Sequence, residues 1–415
     1  MKSKHSWHKA HTENMKKTDY DLIIVGGGMV GACLAFALKT SSLKIAIIES
    51  FNFKTNQQPS YDDRGIALSY GSQSIFETMG LWSQLAHHST AINDIHISDR
   101  GHFGATRLSA KTENVPALGQ VILARAMGQV LNQAIAGQEK LDIICPSSVT
   151  ALDQQENVVE LTLDNERPLT AKLIVAADGA NSTIRKLLGL SVTEQTYQQT
   201  AITANINTER PHLNRAYERF TEHGPIALLP MPNQRCSLIW TVKSGDETAI
   251  NKLNDKAFLK QLQIEFGYRL GKFTQVGKRG HFPLKLTQTD QPIQDRIVFI
   301  GNAAHNLHPI AGQGFNLGLR DVIALADVLV NEVNDCGNAQ LLHEYQNWQQ
   351  SDQDSVIKAT DLLVRLFSND NSILGHGRSA GLMMLDLLPP AKHWLAQKSM
   401  GLGKRQPRLA RGISI

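Results

Sequence analysis

The stretch Leu22-Ile23-Ile24-Val25-Gly26-Gly27-Gly28-Met29-Val30-Gly31 restricts the folds open to this chain more than any other segment. Leu22–Val25 is a short, fully apolar run, the pattern of a strand in a parallel sheet buried on both faces. It leads into a turn of spacing G-x-G-x-x-G and then into Ala32–Lys39, a good helix former. Lys44–Ile48 is a second apolar strand and ends at Glu49. Together these pieces read as a βαβ unit. Each part has a chemical reason to be there. Gly26 permits the tight turn, Gly28 lacks the Cβ that would block a pyrophosphate, and Gly31 lets helix and strand pack closely. The helix start offers unpaired N–H groups to phosphate oxygens. Glu49 can accept hydrogen bonds from an adenosine ribose, and its charge repels a 2′-phosphate, which argues against NADP at this position.

The same style returns far along the chain. Lys172–Ala177 is an apolar strand ending in Asp178-Gly179, and Arg296–Ile300 is another, ending in Gly301-Asn302. Helical sequence follows each, at Ser182–Leu188 and Phe315–Val330, and Ala124–Ala136 also has helical periodicity. Strands near 22, 44, 172 and 296 therefore predict one sheet assembled from distant segments. Between about 190 and 290 the pattern changes to period-two alternation, at Ala201–Ile206, Ala216–Phe220 and Ser237–Val242, as in antiparallel strands with one face toward a pocket. From about 338 to 395 the chain reads as helical.

The expected fold class is α/β with α+β insertions: a Rossmann-like nucleotide-binding domain built from discontinuous segments, an antiparallel-sheet substrate domain and a C-terminal helical region. The expected boundaries are a polar extension over 1–18, a nucleotide-binding domain from 19–90, 110–190 and 290–345, a substrate domain from 91–109 and 191–289, and a helical region with a basic tail over 346–415. Met15 is a plausible alternative start, which leaves residues 1–14 an extension with no role in the fold.

FAD, rather than NAD, is the cofactor that the second and third elements indicate. Asp178-Gly179 puts a carboxylate and a glycine at a strand end, where ligands sit in open α/β sheets. Gly301-Asn302-Ala303-Ala304-His305 does the same, and His308-Pro309-Ile310-Ala311-Gly312-Gln313-Gly314-Phe315-Asn316 follows at once. This second glycine-rich loop opens a helix, whose N–H groups and dipole would stabilise the negative charge of a reduced flavin ring. Pro309, Gly312, Gln313 and Gly314 are accordingly expected near the isoalloxazine.

Composition removes other classes. Lys and Arg total 42 against 38 Asp and Glu, so the formal charge is +4, without the basic excess that nucleic-acid binding needs. The four cysteines are far apart and form no CxxC pair, consistent with a reducing compartment and neither a disulfide framework nor a zinc site. The N-terminus is polar, without the apolar core of a secretory signal. No run is long enough and free of glycine to span a bilayer. His305 and His308 have no third ligand at metal spacing and read as polar residues near the flavin loop; no metal site is expected.

On these residues the sequence resembles the single-component flavoprotein aromatic hydroxylases, with G-x-G-x-x-G, the DG motif at Asp178-Gly179 and the GD-type motif at Gly301-Asn302 in the same order over about residues 20–345. Asp62-Asp63-Arg64-Gly65-Ile66-Ala67-Leu68 and Pro309…Gly312-Gln313-Gly314…Asn316 are similar to the branch acting in ubiquinone biosynthesis. The segments Ile95–His102 and Glu218–Pro225 are most similar to its hydroxylases of 2-polyprenyl-6-methoxyphenol.

The resemblance implies an FAD-dependent monooxygenase that uses NADPH or NADH and O₂. It implies a C4a-hydroperoxyflavin and a 1,4-benzoquinol product. It also places Arg64 and Arg125 near the FAD pyrophosphate and ribityl chain, with Arg185 capping or pairing within the DG motif. Asn302 departs from the wider family, in which most members have Asp; a neutral amide would hold a ribityl hydroxyl less strongly, by ~1 kcal/mol. Gly312, Gly314, Phe315 and Asn316 complete the expected cofactor set.

No side-chain nucleophile or triad is expected, and there is no second nucleotide motif for the electron donor. A polyprenylated phenol needs an apolar cavity, and the resemblance implies a cytoplasmic protein at the inner face of a membrane, associated with other quinone-pathway proteins. Ile373–Leu395, with Leu374, Leu382, Met383, Met384, Leu385, Leu387, Leu388 and Trp394, is the expected docking segment, aided by a basic tail of Lys404, Arg405, Arg408 and Arg411; the other reading is a helix closing the protein's own core, with a solvated tail. Hydroxylation at another ring position, a flavin reductase or oxidase, and a non-catalytic scaffold are the alternative functions on the same fold.

Overall fold

The structure, a computed structural model, describes residues 18–53, 63–332, 334–367, 372–403 and 406–415, with the backbone alone for residues 311 and 372–376. Residues 1–17, Asp62, Lys404 and Arg405 lie outside the described residues.

The apolar strands meet in one sheet. Its order is Ile293–Gln294, Ile297–Phe299, Pro168–Ala176, Tyr20–Val25, Ile45–Ile48 and Leu141–Ile144. The last five are mutually parallel, and Tyr20–Val25 lies between the two strands that end at Ala176 and Ile48. Every side chain of Ile45–Ile48 is buried, because helices cover one face of this sheet and the hairpin of Val149–Gln154 and Val159–Leu163 covers part of the other. The helices Met29–Ala37, Ala124–Ala136 and Gln313–Leu329 form the helical layer. The first begins three residues before the expected Ala32, because Gly28 is its N-cap in an extended conformation.

The alternating segments form a second sheet of nine strands. Val192–Thr208 lies at its centre, paired with Gly280–Thr289 and Arg235–Lys243. The order continues through Gly224–Met231 and Arg215–Thr221 to Asp94–Asp99 and the edge strand Ala105–Ser109. All pairings are antiparallel except Arg215–Thr221 with Asp94–Asp99. Alternation decides the two faces. Ile202, Leu238 and Trp240 pack against Phe258, Leu262 and Phe266 of the helix Asp255–Phe266. Their neighbours Ala201, Thr203 and Ile239 face a cavity instead. At the far edge, His305–Asn306 pairs with Gly280–Thr289, so the chain that follows Gly301 joins the two sheets. A small sheet of Gly65–Ser69, Gly119–Leu123 and Ser89–Ile92, not foreseen from the sequence, bridges the layers.

The C-terminal part is helical: Ala339–Phe367, Ser372–Leu387 and Pro389–Ser399. The expected single segment 373–395 is broken at Leu388, where Pro389 and Pro390 cannot continue a helix but can start one. The tail differs from both expectations, a basic segment free to aid docking and a solvated one. Arg408 donates through Nε and its backbone N–H to the carboxylate of Asp327, on the helix Gln313–Leu329. Thr40 Oγ1 donates to Ile415 O at 2.6 Å. Arg411 is exposed. The charge of Arg408 is thus spent on the protein's own helix.

Replacing Asp327 with Ala should release this tail and lower stability by roughly 2 kcal/mol, the range for a hydrogen bond to a charged group. Urea titration measures the loss, and limited proteolysis should cut after residue 403 in the variant first; unchanged midpoints and digestion patterns would refute the tether.

Candidate active site

At the carboxyl ends of the parallel strands the three glycine-bearing turns come together. Gly26 has φ +104°, and a Cβ there would stand 2.5 Å from the Ala177 carbonyl oxygen, so the first turn is pressed against the DG turn. A Cβ on Gly31 would lie 1.9 Å from the Gly26 carbonyl oxygen, which no side chain tolerates. Glu49 is buried under this turn. Its Oε2 accepts from Gly27 N at 2.7 Å and its Oε1 from Phe51 N at 2.8 Å. A carboxylate has about four acceptor positions, so fixing it this way leaves capacity for ribose hydroxyls.

Asp178 Oδ2 accepts from the N–H groups of Thr183 at 2.7 Å and Ile184 at 3.2 Å. Its Oδ1 is buried with no hydrogen-bond partner among the described residues. Burial raises the pKa of this carboxyl above the ordinary value, against the opposing pull of the Ser182 hydroxyl and those N–H groups. A buried carboxylate oxygen beside a glycine cradle, not engaged by protein donors, fits a ligand hydroxyl that donates to it. Gly179, next in the turn, is followed by Ala180, whose carbonyl accepts from Arg185 at 2.5 Å; the same guanidinium donates to Ala303 O at 3.0 Å. Arg185 therefore links the second turn to the third.

The third turn is held from below by a residue the sequence reading missed. Asp321 is fully buried on the helix Gln313–Leu329. Its Oδ2 accepts from Gly301 N at 3.1 Å and pairs with His305 Nε2 at 2.6 Å, while Gln349 and Gln353 donate to Oδ1 at 2.9 and 2.8 Å. Burial alone would raise its pKa, but the His305 contact and the two amide donors outweigh this and hold it below the ordinary value. Asn302, at the apex, is exposed on the cavity wall. The sequence signal for Asp321 was weak: one acid on a largely apolar helix that also carries Arg320 and Asp327.

Pro309, Gly312, Gln313, Gly314 and Phe315 line the cavity. Asn316 has all its polar atoms engaged by protein: Nδ2 donates to Gly312 O at 2.7 Å and Ala67 O at 2.9 Å, and Oδ1 accepts from Ser69 N and Ser72 Oγ. It fastens the loop to the strand Gly65–Ser69. His308 accepts from Ile310 N–H through Nδ1 at 3.2 Å, so Nε2 carries the proton and faces Gln199 Oε1 at 3.3 Å. Burial pushes its pKa down to about 4. The guanidinium of Arg64 lies 4.5 Å from the Phe282 ring centre, at the cavity wall. Arg125, in contrast, is half-exposed, forms an ion pair with Asp63 at 3.1 Å and is not among the lining residues.

The cavity has a volume of about 1290 Å³, above the ~300–1,000 Å³ of ordinary small-molecule pockets. The flavin-side loop forms one wall and the second sheet, with Thr203, Glu218, Phe220 and Ser237, forms another. The third is the C-terminal helices, through Leu363, Leu366, Phe367, Leu382, Leu385 and Leu395. Phe220 and Phe367 stack with ring centres 3.8 Å apart, against Ile310 of the loop. Such a chamber can hold an apolar ring beside the third turn and keep water from it.

The family model for an FAD binding domain matches residues 19–359, and the chain belongs to that family. It is an FAD-dependent aromatic monooxygenase, with NAD(P)H as electron donor and O₂ as oxidant. Over 95% of its length it is 34% identical to ubiquinone hydroxylase UbiL of Rhodospirillum rubrum, covering 93% of that protein. It is 31% identical to 3-demethoxyubiquinol 3-hydroxylase of Escherichia coli, over 92% of this chain and 98% of the relative. Among solved structures, p-nitrophenol 4-monooxygenase PnpA of Pseudomonas putida superposes with a TM-score of 0.77 at 16% identity, covering 94% of this chain and all of that one. Bound FAD supplies the redox chemistry; the chain's residues bind, orient and shield.

Three outcomes follow from this geometry. Gly31→Val should yield folded protein without flavin, read as lost visible absorbance with unchanged far-ultraviolet dichroism. Asp321→Asn should lower stability by roughly 2 kcal/mol and weaken FAD binding together, because the neutral amide loses the charge-assisted bonds; FAD titration and urea unfolding measure the two.

The third concerns His308. Its folded pKa of about 4 lies below the ordinary 6.5, so the unfolded chain binds the extra proton first. The stability from the neutral ring is intact above pH 6.5 and is lost as pH falls toward 4, by up to about 3 kcal/mol. A His308→Gln variant should flatten the urea midpoint over that window, and an unaltered pH profile would refute the assignment.

Proposed function

We propose that the protein inserts a hydroxyl group into the aromatic ring of a polyprenylated phenol during ubiquinone biosynthesis. The observation that carries this reading is the shape of the cavity. A single ring at the flavin loop leaves the apolar space among Phe220, Phe367, Leu382, Leu385 and Leu395 to be filled, and a hydrocarbon tail fills it at a gain of about 25 cal/mol per Å² of apolar area. The relatives named as ubiquinone hydroxylases support the pathway.

In this reading Gly26, Gly28 and Gly31 receive the pyrophosphate and Glu49 the adenosine ribose. The buried Asp178 Oδ1 accepts from a cofactor hydroxyl, while Gly179, Gly301 and Asn302 border the ribityl chain. Pro309, Gly312, Gln313, Gly314 and Phe315 face the isoalloxazine, with Asn316 holding the loop in register. Arg64 sits at the ring end. Arg125 would have to leave Asp63 to reach the cofactor. Phe220 and Phe367 supply the wall that positions the phenol within about 3–3.5 Å of the reacting oxygen.

The ring position we favour is that of 2-polyprenyl-6-methoxyphenol, giving the 1,4-benzoquinol, on the likeness of Ile95–His102 and Glu218–Pro225. A second reading, hydroxylation of the demethoxyubiquinol ring, is supported by the name of the Escherichia coli relative.

The test is to incubate purified holoprotein with NADH or NADPH, ¹⁸O₂ and each of the two phenols bearing a short prenyl tail. One phenol should gain one labelled oxygen; unlabelled product or no product from either would overturn the proposal. Mass spectrometry of the intermediate that accumulates on gene deletion identifies the ring carbon.

A further inference from the structure

Among the described residues, the outer side of the cavity wall carries a group of exposed apolar side chains. On the helix Ser372–Leu387, Gly381, Leu382 and Leu385 face the cavity. Met383, Met384, Leu387 and, just beyond the helix end, Leu388 face outward; Met384 is 60% and Leu387 74% exposed. Trp394, on the following helix, is 62% exposed. Phe103, at the turn between Asp94–Asp99 and Ala105–Ser109, is completely exposed. That turn is tied to the same helix: Gly104 N donates to Ser379 Oγ at 2.9 Å, one helical turn from Met383. A monomer in water rarely shows six large apolar side chains in one region without a use for them.

The wall is rigidly held. Thr106 Oγ1 donates to Leu382 O at 2.7 Å, and Arg107 N to Asp386 Oδ1 at 3.0 Å. The buried guanidinium of Arg378 meets the buried carboxylate of Asp99 at 3.2 Å. The apolar side chains are therefore presented on a fixed frame.

The surrounding charge is basic. Asp386 is shared by two cations, Arg107 at 3.4 Å and Lys392 at 3.1 Å. Glu113 Oε2 lies 2.5 Å from His393 Nδ1, and Arg100, which opens the Phe103 turn, pairs with Glu265 at 2.8 Å. Lys111 and Lys398 are exposed beside these groups.

From these observations we infer that the face formed by Phe103, Met383, Met384, Leu387, Leu388 and Trp394, rimmed by Arg107, Lys111 and Lys398, docks onto an anionic lipid bilayer. Large apolar side chains beside cations are what the headgroup region of such a bilayer accepts. A second copy of the chain would set the same positive charge against itself, which disfavours a homodimer here. No helix among the described residues is long and apolar enough to cross a membrane, so the contact is peripheral. The wall is one helix thick between cavity and lipid, so docking brings a ligand with a hydrocarbon tail to within a helix's width of the chamber. This last step rests on the polyprenyl reading above; the docking itself does not. It replaces the expected basic tail with the turn at Phe103 and the sheet edge, since Arg408 is bound to Asp327.

The test uses the full-length holoenzyme and two vesicle preparations, phosphatidylcholine alone and phosphatidylcholine mixed with phosphatidylglycerol. Co-sedimentation should occur with the mixed vesicles and fall as salt is raised. The variant Phe103→Ser/Met384→Ser/Leu387→Ser should bind them roughly tenfold or more weakly. Its FAD content and its turnover of a short-tailed, water-soluble phenol should be unchanged.

Three results would overturn the docking: wild-type protein that stays in the supernatant, a triple variant that sediments like the wild type, or velocity sedimentation showing a dimer that the triple variant breaks. Vesicle binding as described by a protein that hydroxylates no phenol would instead remove the substrate reading and leave the docking standing.

Discussion

The geometry of this site depends on one buried carboxylate. Asp321 is fully enclosed, and an ionised group in such a place survives only when hydrogen bonds replace its water. Here four donors do so, from the turn at Gly301, from His305 and from Gln349 and Gln353 of the long C-terminal helix. The consequence is positional. The turn that carries Asn302, the helix that begins at Gln313 and the helix that supplies Leu363 and Phe367 are all referred to a single point. Each lines the same cavity, so the carboxylate sets the distance between the cofactor side and the substrate side.

Much of the α/β frame was legible from the sequence because its signals are local. A continuous apolar run ending in glycine can only be a strand buried on both faces, and the helix at 124–136 shows its period in its own residues. The alternation at 201–206, 216–220 and 237–242 likewise marked antiparallel strands with one face toward a pocket, without saying which side chains face it. The sequence also named the three turns that converge.

What it could not show is how they are fastened. Asp321 to Gly301, Asn316 to Ser69 and Arg378 to Asp99 join residues 20, 247 and 279 positions apart. Nothing in a local pattern distinguishes such a fastener from a solvated polar residue. Arg125 and Arg408 illustrate the converse: as sequence, one is a cofactor ligand and the other part of a solvated tail, yet each lies beside a carboxylate, Asp63 and Asp327, that it pairs with instead. Pro389 breaks a segment expected to be continuous, and the effect, turning one amphipathic segment into a wall and a brace, depends on the sheet edge against which the segment rests.

The Arg378–Asp99 pair is the least economical of these fasteners, and that is informative. It sits in a wall otherwise made of leucine and phenylalanine, where desolvation of two charges offsets most of their attraction, and an apolar pair of equal volume would stabilise the fold as well or better. What an apolar pair would not do is select one arrangement. Arg378 also donates to Leu366 O, in the last turn of the helix Ala339–Phe367, and its guanidinium lies 5.9 Å from the Phe367 ring centre. Three elements are thereby locked in a single register, and the Phe220–Phe367 stack is held against Ile310 of the loop. A ring-hydroxylating site tolerates displacement poorly, because a shift of about 1 Å can reduce the rate ~10²-fold, whereas a wall of leucines alone can repack by such a distance at little energetic penalty. A directional, buried bond is therefore placed where the tail-binding wall meets the reacting centre, and the apolar residues are left to do what needs no direction: exclude water on the inner side and meet an apolar phase on the outer.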